Sequence, residues 1–172
     1  GSYTSISPSL NANFNLNIKA DAISLLNSST INAGTGTVTV TTKTAGNEIQ
    51  LGIGSNIGIL GLSQANLDSI SAGNLVIGDA DTTGQITTYT VTTGAATGNL
   101  TLRSRGNIAL NGALSVGGVS GSKNLTLYGS DTVGTNTISE DSSGSIKATG
   151  LELKGSSATH TLTNTSNDIT TL

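Results

Sequence analysis

The chain contains no cysteine and no tryptophan, and it has a single proline and a single phenylalanine. The absence of cysteine excludes disulfide bonds and thiol chemistry. It fits the cytosol, and it fits equally a bacterial protein that must stay unfolded during export. Compact domains usually pack their cores around aromatic rings, so a core in this chain has to be built from aliphatic side chains.

Charged residues are also scarce, with 7 basic and 10 acidic side chains among 172 residues. The basic residues are scattered and have no aromatic residues among them. Nucleic acids and anionic membranes are bound by clustered basic charge, and a membrane-spanning helix needs about 20 consecutive apolar residues. The sequence therefore predicts neither a nucleic-acid partner nor a membrane-embedded segment.

Threonine, serine, glycine and asparagine together make up more than half of the chain. Such a polar composition is typical of disordered proteins. The aliphatic residues are nevertheless regularly spaced, and disorder does not require a regular spacing. The spacing therefore favours a folded chain.

An Asn-Leu phrase returns at a constant interval. It reads "GNLVIGD" from Gly73, "GNLTLRS" from Gly98 and "KNLTLYG" from Lys123. Each phrase opens a strict alternation of apolar and polar residues, which is the period of a β-strand with one buried face. The segments between are rich in glycine, serine, asparagine and aspartate, which form turns. The chain is therefore an array of β-rich units of about 23–27 residues.

Short strands in repeated units predict an all-β fold, a parallel β-helix of six or seven coils. A β-sandwich is the alternative, but it does not require one phrase to return in register. Residues 1–12 are predicted to form an N-terminal extension, and residues 13–172 a single domain. Within it, "LSQANLDSI" (Leu62–Ile70) predicts a short helical excursion with Ser63 as its N-cap.

In such a fold, equivalent residues of successive coils stack about 4.8 Å apart. The leucines of the repeated phrase would then form one aliphatic row, and the asparagines before them an inward-facing ladder of amides. The alternative is that asparagine opens these strands only because it favours turns. The predicted ladder consists of Asn47, Asn74, Asn99 and Asn124.

Two stretches resemble a known family. The phrase "LGLSQANLDSISAGNLVIGDADTTGQIT" (Leu60–Thr87) is similar to the repeat region of filamentous-haemagglutinin-type bacterial exoproteins, and so is "ATHTLTNTSNDITTL" (Ala158–Leu172). The resemblance covers residues 36–172. It implies a right-handed parallel β-helix that serves as a rigid extracellular shaft of an adhesin, exported in many cases by two-partner secretion.

The secretion domain of that family carries Asn-Pro motifs, whereas Pro8 here follows Ser7. The sequence is therefore expected to be an interior piece of shaft or a short relative.

The stretch "GDADTTG" raises the question of a metal site. Asp79 and Asp81 lie two residues apart in a turn, as calcium ligands can. The stretch lacks the later acidic ligand of an EF-hand loop and does not match the glycine-rich calcium repeats. A solvated turn is the better interpretation, and we expect no metal and no cofactor.

No catalytic residue stands out. His160 lacks an identifiable partner and is expected at the surface. Arg103 and Arg105 should face outward, where they could contact a glycan or an acidic partner. Ice binding is disfavoured because the threonine pairs do not recur in every unit. A row of carboxylates on one wall, as in glycan-cleaving β-helix enzymes, would need recurrence at the unit spacing, which is missing for Asp79, Asp81, Asp131 and Glu152.

The sequence thus predicts a non-catalytic shaft segment of a secreted or cell-surface bacterial adhesin, located outside the cell. A self-assembling extracellular filament subunit is the first alternative, and a glycan-binding or glycan-cleaving protein the second. The expected partners are another copy of the chain, the rest of a longer adhesin, or a cell-surface glycan. For end-to-end association, the contact residues at the last strands would be Leu162, Ile169 and Leu172, which would meet the Asn13 end of a neighbour.

Overall fold

The computed structural model describes residues 3–6, 10–11, 14–25, 29–82, 84–132 and 136–172. Strands make up 53% of the structure and helix is almost absent. Among the described residues the one α-helix is α1 (Gln64–Asp68).

Most strands are short, as expected from the frequent turn-forming segments. They are β1 (Tyr3–Ile6), β2 (Leu10–Asn11), β3 (Leu16–Lys19), β4 (Ala22–Leu25), β5 (Ile31–Asn32), β6 (Thr37–Thr41), β7 (Glu48–Gly52), β8 (Ile59–Ser63), β9 (Ile70–Gly78), β10 (Ile86–Thr88), β11 (Val91–Thr92), β12 (Thr97–Arg103), β13 (Ile108–Leu110), β14 (Ala113–Ser115), β15 (Leu125–Tyr128), β16 (Asn136–Glu140), β17 (Ser145–Lys154), β18 (Ala158–Thr161) and β19 (Asp168–Thr171).

The strands form two large sheets and one small one. The first large sheet has six strands in the order β18-β16-β13-β10-β7-β8. The second has eleven strands, and the path β11-β14-β17-β15-β12-β9-β5-β2 through it curls into a half-barrel of eight parallel strands. Strands β1 and β4 form a separate parallel pair.

The predicted fold class, a right-handed parallel β-helix of six or seven coils of 23–27 residues, is wrong. The strands are mostly parallel but lie in two sheets, one of them a curled half-barrel, and do not form a clear β-helix. The spacing between paired residues is also irregular, since Glu48 pairs with Ile59 and Thr37 pairs with Asn74. The physical reason is that alternation fixes which side chains face the core, whereas it does not fix how successive strands curl or close.

The core consists of aliphatic rows that cross the strands. In the half-barrel sheet, Leu75 pairs with Leu100 and Leu100 with Leu125, and all three are fully buried. A second row joins Ile77, Leu102 and Leu127, which are equally inaccessible. Burying a leucine or isoleucine side chain contributes about 1.5–3 kcal/mol relative to leaving it exposed, so these rows supply the main driving force for folding.

Helix α1 lies within the segment where a helical excursion was expected. Ser63 is its N-cap: the Oγ accepts a hydrogen bond from the Asn66 amide at 3.2 Å. Asn66 Oδ1 in turn accepts one from the Ser63 amide at 3.1 Å, which completes a capping box. Leu67 anchors the helix to the core, because its side chain is fully buried.

The segment predicted as an N-terminal extension contains two strands. Tyr3–Ile6 pairs with Ala22–Leu25, and Leu10–Asn11 pairs with Ile31–Asn32. Asn13, where the main domain was expected to begin, lies outside the described residues.

The described part of the chain holds no helix of the length and apolar character that crossing a membrane requires.

Candidate functional site

The outer face of the half-barrel sheet carries the most ordered set of polar side chains. Strands β9, β12, β15 and β17 lie side by side, with equivalent residues in register. Side chains alternate between the two faces of a strand. The residues directly before, between and after the buried aliphatic residues therefore point outward. They form three rows, which we call the amide row, the hydroxyl row and the stacked row.

The amide row consists of Asn74, Asn99 and Asn124. Asn74 and Asn99 are register partners, and the Asn99 Nδ2 lies 3.4 Å from the Asn74 Oδ1. The Asn99 Oδ1 accepts a hydrogen bond from the Asn124 amide at 3.2 Å. All three residues are exposed, so the row does not stack inward as the sequence suggested. The reason is that each asparagine directly precedes an inward-facing leucine and must therefore point the opposite way.

Asn47 is not part of this row. It precedes β7 in the other large sheet, and its amide donates a hydrogen bond to the Thr44 carbonyl at 3.3 Å. The residue that pairs with Asn74 on the side of the preceding strand is Thr37. The phrase "GNEI" resembles the Asn-Leu phrases, but its strand pairs with β10, where Ile49 meets Ile86.

The hydroxyl row runs beside the amide row. Thr101 pairs with Thr126, and Thr126 pairs with Glu152. The Thr126 hydroxyl donates to the Glu152 Oε2 at 3.1 Å. Between the two rows runs a groove of about 560 Å³, which extends to Leu172.

The stacked row joins Arg103, Tyr128 and Lys154, which are register partners on β12, β15 and β17. The Arg103 guanidinium carbon lies 4.3 Å from the centre of the Tyr128 ring, and the Lys154 Nζ lies 6.0 Å from it. Both cations are within the range of a cation–π interaction. The tyrosine ring is therefore flanked by positive charge from both neighbouring strands.

Two carboxylates balance this positive charge. The Tyr128 hydroxyl donates a hydrogen bond of 2.5 Å to Asp131, which raises the pKa of Tyr128 and lowers the pKa of Asp131. Lys154 forms a salt bridge of 2.9 Å with Glu152, and this hydrogen bond is the main cause that lowers the pKa of Glu152. Asp131 and Glu152 are exposed and Tyr128 is half-buried, so solvent screens these interactions and their effect on stability is small.

A sequence signal for the stacked row existed. Arg103 and Tyr128 occupy the same place in the phrases "NLTLR" and "NLTLY", and Lys154 ends the equivalent "GLELK". Each charged residue taken alone is typical of a solvated face, and the row is visible only when the three phrases are aligned. Arg105 is exposed and has no register partner in this row, but it lines a cleft with Arg103 and Asp131, and its Nη2 lies 3.5 Å from the Thr132 hydroxyl.

At the weak metal candidate, the Asp79 side chain forms hydrogen bonds within its own turn, which includes Asp81. Asp79 Oδ1 accepts hydrogen bonds from the Asp81 amide at 2.8 Å and from the Thr82 amide at 2.7 Å. It also accepts one from the Thr82 hydroxyl at 2.9 Å. This oxygen is therefore engaged by three donors of the chain itself. Within the described ranges, no three histidine, aspartate or glutamate side chains are grouped as a metal site requires.

His160 is placed differently from the surface position expected. It pairs with Ile138 on β16, at the end of the row that joins Ile49, Ile86 and Ile108. His160 is half-buried, since the alternation of β18 turns it to the same side as these isoleucines.

The three predicted end-contact residues differ in exposure. Leu162 and Ile169 are half-buried and pack against the core, while Leu172 is 89% exposed. Strands β18 and β19 are each paired on one side, with β16 and β17.

Comparison with known protein families, with curated proteins and with solved structures gives no match to this chain. The likeness to filamentous-haemagglutinin-type repeats remains a resemblance of sequence phrases.

The outer face offers amide and hydroxyl groups, two cations and one flanked aromatic ring. Such groups can bind a partner through hydrogen bonds and charge. The glycan partner expected from the sequence stays a prediction, and so does the absence of a metal or cofactor.

Proposed function

We propose that this protein is a non-catalytic structural segment of a secreted or cell-surface bacterial adhesin. It carries neighbouring regions of the adhesin away from the cell, and it works outside the cell.

The observation that carries this proposal is the in-register stacking of aliphatic rows. Leu75, Leu100, Leu125 and Leu151 follow one another across four adjacent strands, and each is buried. Every added strand repeats the same layer and satisfies the backbone groups of the strand before it. A chain built in this way gains length without needing a new kind of core, which suits a spacer.

The composition supports export. The chain has no cysteine to be oxidised outside the cell, and its exposed faces are rich in threonine, serine and asparagine. The outer rows are polar, and the ion pairs Lys147–Asp168 and Lys154–Glu152 lie at the surface. Such a surface suits a protein that faces water along its length.

Immunogold labelling of intact cells of the source bacterium, with antibodies against the folded chain, tests the location. The expected result is label at the cell surface, or antigen in the culture medium, while a cytosolic marker remains unlabelled. Antigen that becomes detectable only after lysis would overturn the proposal.

A self-assembling filament subunit is the second candidate, and the edge strands favour it. The half-buried Leu162 and Ile169 lie beside strand edges that have a partner on one side. Unpaired edges with apolar neighbours template association with further strands.

Analytical ultracentrifugation separates the two candidates. The filament candidate predicts concentration-dependent association of the 172-residue chain, abolished by Leu162→Lys with Ile169→Lys. The matched control carries the same charges on the adjacent exposed positions, Thr163→Lys with Thr170→Lys, and should still associate. A wild-type chain that stays monomeric at high concentration rejects the filament candidate and leaves the spacer proposal intact.

A further inference from the structure

Four polar side chains lie together on the outer face of the six-stranded sheet, where β7 and β10 run side by side. Glu48 and Gln50 lie on β7, Gln85 directly precedes β10, and Thr87 lies on it. Gln50 and Thr87 are register partners. Each of the four is next to an isoleucine that is fully buried in the core, so the alternation of the strands turns all four outward.

The two register partners are buried although they point away from the core. Thr87 is 2% exposed and Gln50 is 7% exposed. The chain that follows β7 provides cover beside Gln50. On its other side Gln50 pairs with Gly61, and a Cβ on Gly61 would lie 2.2 Å from the Gly54 carbonyl carbon. This loop therefore passes directly over the neighbouring strand and shields this part of the face from water.

The Thr87 hydroxyl is oriented by two side chains. Its Oγ1 donates a hydrogen bond of 2.6 Å to the Glu48 Oε1 and accepts one of 2.8 Å from the Gln85 Nε2. A hydroxyl oxygen has two lone pairs, so one of them remains free. In the part of the chain that the structure describes, Glu48 forms no salt bridge. Its carboxylate is thus placed to accept the hydroxyl proton, which is the arrangement of an activated nucleophile.

Gln50 supplies the group that such a nucleophile attacks. Its Oε1 is buried and has no hydrogen-bond partner among the described residues. Neighbouring strands lie about 4.8 Å apart, so the side chains of register partners are within reach of each other. A buried amide without partners is destabilising. Conversion of the amide into an ester would remove its N–H donors from a site that is shielded from water.

We propose that Thr87 and Gln50 form an intramolecular ester that joins β10 to β7. The Thr87 Oγ1 attacks the side-chain carbonyl carbon of Gln50, and Glu48 accepts the hydroxyl proton. The bond between this carbon and the Gln50 Nε2 then breaks, Glu48 passes the proton to the leaving nitrogen, and ammonia departs. The products are one ester and one ammonia, so the reaction needs no oxidant, cofactor or further reactant.

This reaction has to occur only once in each chain. A carboxylate is a weak base for a hydroxyl, but fixed geometry and the exclusion of water favour the step. The same burial protects the ester from hydrolysis. The ester goes beyond the proposed function and does not depend on where the protein is located. It is compatible with a spacer that performs no enzymatic turnover, and it would hold β7 and β10 together under tension.

Mass spectrometry of the purified, folded 172-residue chain tests the ester. The intact chain should weigh one ammonia less than its sequence requires. Digestion with trypsin and a protease that cleaves after acidic residues should give residues 49–68 and 82–103 joined in one species, which mild alkali separates. A folded chain of full sequence mass, or a loss of ammonia located at another position, would overturn the proposal.

Variants of the two strands assign the roles. Thr87→Val removes the hydroxyl with little change of shape, so this variant should have the full sequence mass and melt about 5–10 °C below the wild type. Thr87→Ser keeps a hydroxyl and should keep the ester. Glu48→Gln removes the proton acceptor and should leave most of the freshly purified chain at full mass. If Thr87→Val does not fold, Gln50→Met removes the amide instead and should also have its full mass.

The matched control is Thr126→Val. Thr126 also donates a hydrogen bond to a carboxylate, that of Glu152 at 3.1 Å, but it is not buried. This variant should retain the ester and the wild-type melting temperature. The proposal fails if Thr87→Val still lacks one ammonia, or if Thr126→Val regains the full sequence mass.

Discussion

At the scale of single residues, the Asn-Leu phrase combines two different roles in adjacent positions. Asn99 is exposed and belongs to a hydrogen-bonded row, whereas Leu100 beside it is fully buried between Leu75 and Leu125. A hydrogen bond at an exposed site can be replaced by water at little cost, whereas a buried leucine leaves a cavity when it is truncated. Within the repeated phrase, the leucine therefore contributes more to stability than the asparagine.

The first prediction compares these neighbours. Leu100→Ala should lower the free energy of unfolding by about 2–5 kcal/mol, whereas Asn99→Ala should lower it by less than about 1 kcal/mol, because its partner amides turn to water. Chemical denaturation followed by circular dichroism measures both variants. An asparagine variant as unstable as the leucine variant would mean that the amide row is buried, contrary to the structure.

The second prediction concerns Tyr128 and its pH dependence. The hydrogen bond to Asp131 raises the pKa of Tyr128 above its ordinary value of 10.0 and lowers the pKa of Asp131 below 3.8. The tyrosine contribution to stability is thus present below pH 10.0 and lost as the pH rises through the raised pKa. The aspartate contribution is present above pH 3.8 and lost as the pH falls through the lowered pKa.

Replacement of the acceptor, Asp131→Asn, should therefore lower the pKa of Tyr128. Phenolate absorbance reports this titration in a background where Tyr3 and Tyr89 are phenylalanine. Asp81→Asn is the control, since Asp81 lines the same cleft of about 220 Å³ as Asp131 but is not among the groups that shift the pKa of Tyr128. An unchanged titration in Asp131→Asn would show that the hydrogen bond does not persist in solution.

At the scale of the strands, glycine residues allow the backbones of neighbouring strands to approach closely. A Cβ on Gly98 would lie 1.8 Å from the Gly73 carbonyl oxygen, and a Cβ on Gly73 would lie 2.2 Å from the Thr35 carbonyl oxygen. The start of β12 therefore fits against β9 only without a side chain at this position. By contrast, a Cβ on Gly54 would meet nothing within 4 Å.

The third prediction follows from this contrast. Gly98→Ala should lower the free energy of unfolding by about 1–3 kcal/mol or more, because β9 and β12 must move apart. Gly54→Ala, the matched control in an open turn, should stay within about 0.5 kcal/mol of the wild type. Thermal and chemical denaturation measure both. A Gly98→Ala variant of native stability would mean that the junction of β9 and β12 is looser than described.

The sequence predicts which residues of a strand face the core, but it does not predict how the strands are arranged in sheets. The alternation identified Leu75, Ile77 and Leu100 as core residues, and all are fully buried. The arrangement of the strands could not be derived in the same way. Strand β8 pairs directly with β7, and helix α1 follows it, so the segment before β9 breaks the constant spacing on which the β-helix prediction relied.

The candidate site shows the same division. The constant spacing predicts the amide row, whereas its outward direction follows only from the alternation of the leucines beside the asparagines. As a lone histidine, His160 is expected at the surface, although its register partner Ile138 lies in a buried row. Register between distant strands is set by three-dimensional pairing, which a single sequence reveals only where units have equal length.

At the scale of the whole molecule, the rows make the central strands interchangeable. Residues 98–122 contain all of β12 except Thr97, together with β13 and β14, and each of these strands has similar neighbours on both sides. Leu100 lies between Leu75 and Leu125, Ile108 between Ile86 and Ile138, and Leu114 between Val91 and Ile146. Removal of residues 98–122 would bring the two outer residues of each set together, and in each set both are aliphatic.

The fourth prediction is that a variant lacking residues 98–122 folds cooperatively. The urea m-value should fall by about one seventh, in proportion to the chain removed, because m follows the surface exposed on unfolding. The control lacks residues 98–109, about half of the unit, which removes nearly all of β12 and most of β13 and leaves β14 without the strands that precede it. This half-unit variant should lose the cooperative transition. If both deletions are tolerated equally, strand register does not govern the fold. If the full-unit deletion unfolds and the half-unit deletion does not, the stability resides in contacts outside the rows, and the spacer proposal loses its main support.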